Sequence, residues 1–137
     1  YNTNRLNKYE EFASRGLERF PENEILLYNL AVIHIGNNNT EKAVEFLNKI
    51  IRLNPKHFEA LKALGNIELQ KDAEVTSKIN ALPNTNASNK KRAELMQQKK
   101  DVYTNTLDYY LRAQKANDKN EGLNDLIRQI QEFLKQN

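Results

Sequence analysis

The sequence predicts an all-α chain, an antiparallel helix-pair solenoid of about six helices, and three observations carry that expectation. The 137 residues include only four Gly and three Pro, whereas a β-sandwich or barrel needs a turn roughly every ten residues. Apolar residues recur at three- and four-residue spacing, the period of an amphipathic helix. Pro21 and Pro55 stand 34 residues apart, and the apolar run after the first, Leu27 and Leu30-Ala31, repeats after the second as Leu61 and Leu64-Gly65.

Composition narrows the chemistry. With no Cys and two His, a thiolate nucleophile, an iron-sulfur cluster and a Cys-ligated zinc site are excluded. Lys and Arg number 21 against 18 Asp and Glu, a net charge of +3 with a pI near 9.1. So small and dispersed an excess does not argue for nucleic acid or a membrane surface. The longest apolar stretch, Leu30 to Ile35, is broken by His34 and falls far short of the roughly 18 residues that a span requires. The sequence opens at Tyr1 with no basic-then-apolar leader, as a processed or excised chain would.

Taken in order, Asn7 to Phe20 reads as a helix with Leu6, Tyr9, Ala13, Gly16 and Leu17 on one face and Pro21 closing it. A mid-helix Gly costs about 1 kcal/mol against Ala, so Gly16 points to close helix packing. A second helix follows from Glu24. Asn37, Asn38 and Asn39 then make a turn, with Asn39 or Thr40 expected to cap a third helix that starts near Thr40 and stops before Pro55. The fourth helix begins near Lys56 or His57. No turn interrupts its apolar pattern until Leu82, giving a rod of about 39 Å. The polar segment Leu82 to Asn89 offers Ser88 or Asn89 as cap for a return helix, Lys90 to Ala116, and Glu121 to Leu134 forms a last amphipathic helix with Leu123, Leu126, Ile127, Ile130 and Leu134 on one face. Val75, Ile79, Leu82, Leu95, Met96, Val102 and Tyr103 are expected to close the long hairpin.

The segment Glu24 to His57 resembles the tetratricopeptide repeat family, with Leu27 in the Trp slot, Leu30-Ala31 in the Leu-Gly slot, His34 in the Tyr slot, and Ala43, Leu47, Ile50 and Pro55 in the second-helix slots. The resemblance implies a right-handed superhelix in a single domain over 1–137. Residues 4–20 would be helix B of a truncated repeat, 24–57 a complete repeat, 58–120 a repeat with an elongated hairpin and 121–137 a capping helix. In the elongated repeat Thr106, Tyr110 and Ala113 take the Ala, Phe and crossing slots. A half-repeat at the start implies further repeats upstream. The hairpin and closing helix also look like a group of bacterial members often exported to the periplasm or cell envelope.

For function, the resemblance implies a non-catalytic scaffold or adaptor that binds a protein or peptide on the concave face lined by helices A. The inward slots are Ile25, Tyr28, Val32 and Ile35 in one repeat and Glu59, Lys62, Asn66, Leu69 and Gln70 in the next. Tyr28 with its aliphatic neighbours suits an apolar anchor, and Lys62 with Asn66 suits a carboxylate or backbone amide. Lys62 and Asn66 match two ligands of the chaperone-tail clamp, but Asn124, Leu126 and Arg128 do not continue it. The alternative is an assembly module whose Thr76 to Lys100 hairpin drives self-association.

No enzyme signature is present. The four Gly are isolated, and no phosphate-binding loop, G-x-S-x-G elbow or H-E-x-x-H occurs. No cofactor or metal is expected. His34 is expected to pack between helices, His57 to start one, and Asp108 beside Tyr109-Tyr110 lacks a nucleophile or base partner. The cations Lys90-Lys91-Arg92 and Lys99-Lys100 are expected to be a solvated helix face, with nucleic acid disfavoured by Glu94 and Asp101 among them.

Overall fold

Helix-forming periodicity and helix-stopping residues set the element order. The computed structural model describes residues 3–137, and among them it holds α-helices, one 3-10 turn and no strand. The α-helices are α1 Thr3–Arg19, α2 Glu24–Gly36, α3 Thr40–Leu53, α4 Phe58–Leu69, α5 Lys71–Ala81, α6 Asn89–Ala116 and α7 Glu121–Gln136. The chain packs as two compact units, one ending at Ala60 and the other beginning at Leu61, so that the division falls inside α4. No described helix is long and apolar enough to cross a membrane.

In the first unit the helix ends are settled by local chemistry. Asn23 caps α2, its side chain accepting the Leu26 N–H at 3.0 Å. Asn38 adopts a positive φ of 58°, which Asn tolerates better than most residues. The Asn38 and Asn39 N–H groups then bond back to the Ile35 and His34 carbonyls at 3.1 and 2.8 Å. This is the double bond pattern of a Schellman motif, and it satisfies carbonyls that the helix end would otherwise orphan. Asn39 occupies the capping position of α3 without a side-chain cap bond, while its backbone N–H closes α2. His57 Nδ1 accepts the Ala60 N–H at 3.1 Å, and Asn54 Oδ1 accepts the Lys56 N–H at 3.1 Å, so the Pro55 turn and the start of α4 are both held by side chains.

Helices α1 and α2 run antiparallel, with Gly16 against Leu26, Tyr9 against Asn29 and Glu10 against His34. A Cβ at Gly16 would sit 2.7 Å from Leu26 Cδ1, so the packing expected of this Gly is present. The core holds Ala13, Leu27, Leu30, Ala31, Ala43, Leu47 and Ile50. The expected small slots, Ala31 and Ala43, are fully buried. His34 is buried, stacked on Phe46 with ring centroids 5.7 Å apart, and its Nε2 lies 3.3 Å from Glu10 Oε1.

In the second unit α4 and α5 together oppose α6. Successive pairs are Asn66 with Tyr110, Glu68 with Asn105, Asp72 with Tyr103, Thr76 with Lys99, and Pro83 with Arg92. One residue number rises as the other falls, which is an antiparallel register. The long fourth helix is interrupted at Gln70, between α4 and α5. Gln70 nonetheless keeps helical angles (φ −59°, ψ −26°), and its N–H bonds to the Asn66 carbonyl at 3.2 Å. The pairing with α6 continues on both sides, so the two segments act as one rod. Neither Ser88 nor Asn89 supplies a side-chain cap to α6; Ser88 lies at the cap position without such a bond. Instead a 3-10 turn, Asn86–Ser88, leads into the helix, and the Asn89 N–H bonds to the Asn86 carbonyl.

Val75, Leu95 and Val102 are buried and Ile79, Leu82, Met96 and Tyr103 half-buried, so the hairpin closes on its own apolar face. Asn120 caps α7 through the Leu123 N–H at 2.9 Å. Leu123, Ile127 and Ile130 point into the core, while Arg128, Gln131, Lys135 and Gln136 are exposed. The largest fully buried side chain is Tyr110, which lies directly against the Cα of Gly65.

Two stability measurements follow from this packing. Gly65→Ala would drive a methyl into the Tyr110 ring; overpacking costs about 1–3 kcal/mol, against a helix-propensity gain of about 1 kcal/mol. Urea denaturation should therefore find the variant less stable, whereas an exposed mid-helix Gly→Ala would stabilise. Thr106 is fully buried with no partner for its hydroxyl, so Thr106→Val, equal in shape and branching, should raise stability by about 1 kcal/mol.

Candidate functional site

On α2, Leu27, Leu30, Ala31 and His34 face inward, which turns the row Ile25, Asn29, Val32 and Gly36 outward at helical spacing. Ile25 is 71% exposed and Val32 48%. Asn29 between them is half-buried and donates Nδ2 to the Tyr9 hydroxyl oxygen at 2.6 Å. Ile35 and Tyr28 flank the row, both half-buried. The Tyr28 ring rests 5.9 Å from the His57 ring. Burial pushes the Tyr28 phenol upward, and the Glu59 carboxylate adds to that shift. Glu59 Oε2 lies 3.8 Å from His57 Nδ1. The first unit therefore brings Tyr28 and Glu59 together around His57, beside two exposed aliphatic side chains.

In the second unit Lys62 and Leu69 are half-buried, and Asn66 and Gln70 exposed. Asn66 is not a free amide, because the Tyr110 hydroxyl donates to its Oδ1. Its NH2 remains for a ligand carbonyl. Gln70 marks the α4–α5 interruption. Leu69 lines a cavity of about 360 Å³ together with Asp72, Tyr103, Leu126, Gln129, Ile130 and Phe133. A larger depression of about 580 Å³ beside α7 is lined mainly by polar side chains, Gln114, Asn124 and Arg128 among them. Asn124, the residue nearest in kind to a clamp ligand, is engaged by Gln114 and by the Asp118 carbonyl.

The sequence reading missed a polar cluster at the 360 Å³ cavity. Asp72 Oδ1 lies 3.0 Å from Lys99 Nζ and accepts the Thr76 hydroxyl at 3.1 Å, and Oδ2 accepts the Tyr103 hydroxyl at 3.1 Å. Lys99 also donates to Thr76 at 2.7 Å and sits 5.4 and 5.6 Å from the Tyr103 and Phe133 ring centres. Those two rings meet edge to face at 4.6 Å. Lys99 is thus no solvated cation; its side chain is only 15% exposed. The available signal was spacing: Asp72 with Thr76 and Lys99 with Tyr103 are each four apart, facing pairs on two helices expected to form a hairpin. Phe133 stood off the apolar row assigned to α7 and gave no comparable signal.

Among the described residues no group of three His, Asp or Glu is placed to hold a metal ion. The Tyr103 phenol is pushed up to about 12, chiefly by burial and then by its bond to Asp72 and that carboxylate's charge. A phenol that holds its proton more tightly when folded supports the fold fully below its ordinary value of 10, and that support is lost as pH rises toward 12. Melting temperature followed between those limits should fall less steeply for Tyr103→Phe than for the unmodified chain.

No curated protein matches the chain. A family model described as tetratricopeptide repeat matches residues 10–67, a stretch that contains the 34-residue unit, its capped helix ends and its small-residue contacts. Such repeats generally mediate protein–protein interactions. Over residues 10–67 the chain is similar to tetratricopeptide repeat proteins.

Proposed function

We propose that the chain is a non-catalytic adaptor that holds a peptide or protein segment against the outward row of α2. The observation that carries this reading is the pair Ile25 and Val32, two aliphatic side chains left in solvent one above the other on a helix already packed on its other sides. An apolar ligand side chain would cover them. Tyr28 and Glu59 beside them supply an aromatic wall and a carboxylate for a backbone N–H or a basic group. In the second unit Lys62, the free NH2 of Asn66, Leu69 and Gln70 are offered as further peptide contacts. The assembly alternative has less support, because the apolar face of the hairpin is largely consumed within it.

A displayed random-peptide library selected on the chain tests the proposal. Enriched peptides should share an apolar anchor and should lose at least about tenfold in affinity to Val32→Glu or Ile25→Glu, equivalent to about 1.4 kcal/mol. Both positions are exposed, so circular dichroism and melting temperature should stay unchanged. Peptides that bind these variants as well as the unmodified chain would overturn the reading. A change in solution mass on shortening the Thr76 to Lys100 hairpin would favour assembly instead.

A further inference from the structure

The cavity of the second unit has a composition that the adaptor reading does not require. Its apolar lining is Leu69, Leu126, Ile130 and Phe133, and its polar lining is Asp72 with the Tyr103 hydroxyl and the amide of Gln129, which stays in contact with solvent and keeps its bonds to water. A volume of about 360 Å³ is within the range of sites that enclose a small ligand or a single large side chain. Donor and acceptor arithmetic then limits what fits. A carboxylate has about four acceptor positions. Thr76 and Lys99 take two on Asp72 Oδ1, and Tyr103 takes one on Oδ2. One position on Oδ2 is left.

Charge limits it further. Lys99 already balances Asp72 at 3.0 Å, so an entering ammonium or guanidinium would meet a neutral pair and the repulsion of a cation in place. An anion would meet the carboxylate. A ring without a donor would cover the remaining lone pair and remove it from water uncompensated. A neutral apolar ring with one N–H satisfies all these conditions. Phe133 and Tyr103, already edge to face at 4.6 Å, extend the aromatic contact geometry to a third ring.

The geometry points to an anchor pocket for an indole: a tryptophan side chain of a partner peptide, its ring against Leu126, Ile130 and Phe133 and its N–H on Asp72 Oδ2. The inference rests on the adaptor reading only in taking the ring from a peptide. It involves other residues than Ile25 and Val32, so either can fail alone.

N-acetyl-tryptophanamide is the probe. The chain contains no Trp, so fluorescence excited beyond tyrosine absorption reports the ligand alone. A saturable blue shift is expected, with amide shift changes in NMR centred on Leu69, Asp72, Tyr103, Gln129 and Phe133. N-acetyl-phenylalaninamide and N-acetyl-argininamide should compete at least about tenfold more weakly, the first by the loss of one hydrogen bond. Leu126→Phe, which fills the cavity, should abolish the shift while the second-unit NMR spectrum stays dispersed. The inference is overturned if no saturable shift occurs, if the amide changes map elsewhere, or if either competitor equals the indole. The NMR map on the unmodified chain decides the matter even if Leu126→Phe fails to fold. Peptide selection on Val32→Glu is a separate readout, so a failure here leaves that result standing.

Discussion

The second unit depends on the contact of the Tyr110 ring with the bare backbone of Gly65. A ring reaches a helix backbone only where no Cβ intervenes, so the contact fixes which turn of α4 lies against which turn of α6. The Tyr110 hydroxyl on Asn66 makes the same choice by hydrogen bonding. Once set there, the register carries through to the pairs at Asp72 with Tyr103, Thr76 with Lys99 and Pro83 with Arg92. A slip of one turn would part Lys99 from Asp72 and leave two half-buried charges without partners. That error costs more than the correct pair contributes, because breaking such a pair exposes the full desolvation penalty of each ion. Size complementarity at Gly65 and charge complementarity at Asp72 therefore select the same alignment.

The continuity of α4 and α5 follows from that alignment. The helix is interrupted at Gln70, but its backbone angles stay helical, its N–H still bonds to the Asn66 carbonyl, and α6 supplies partners both before and after it. A helix held along its length by a neighbour tolerates a local fault that an isolated helix of this length would turn into a fray. The apolar pattern from Phe58 to Leu82 records the packing rather than the bond ladder, which is why it runs through the interruption without a mark.

The fold was largely legible. The 34-residue spacing, the small residues at 31, 43 and 65, and the proline stops at 21 and 55 each encode a steric requirement of helix pairs, and such requirements are written in single residues. Helix starts were read less well. Asn39 and Ser88 have capping side chains by type, yet neither caps, since a Schellman closure and a 3-10 turn settle the backbone there instead. His57 caps α4 through a ring nitrogen, a role that residue type suggests only weakly. Side-chain placement was legible where it depends on one helix, as at the exposed Ile25 and Val32. It was obscure where it depends on three: Asp72, Lys99 and Phe133 come from α5, α6 and α7, and a charged residue on a helical pattern reads as solvated until the facing helix is placed.

The pair Ile25 and Val32 on α2 is informative because the packing of the first unit leaves both side chains in solvent. Leu26 and His34 already face α1, through Gly16 and Glu10, and His34 also stacks on Phe46 of α3. Buried Leu27, Leu30 and Ala31 complete the packing. Ile and Val lie below Ala, Leu, Lys or Glu in helix propensity, by several tenths of a kcal/mol per residue against Ala, and at 25 and 32 they recover little of it by burial. A sequence shaped by stability alone would place Glu, Lys or Gln there, as α7 does on its own outer face with Arg128, Gln131 and Lys135. Two β-branched aliphatics at exposed positions one above the other thus oppose both local propensity and solvation, and the ligand proposed for this face would, by burying them, resolve both conflicts at once.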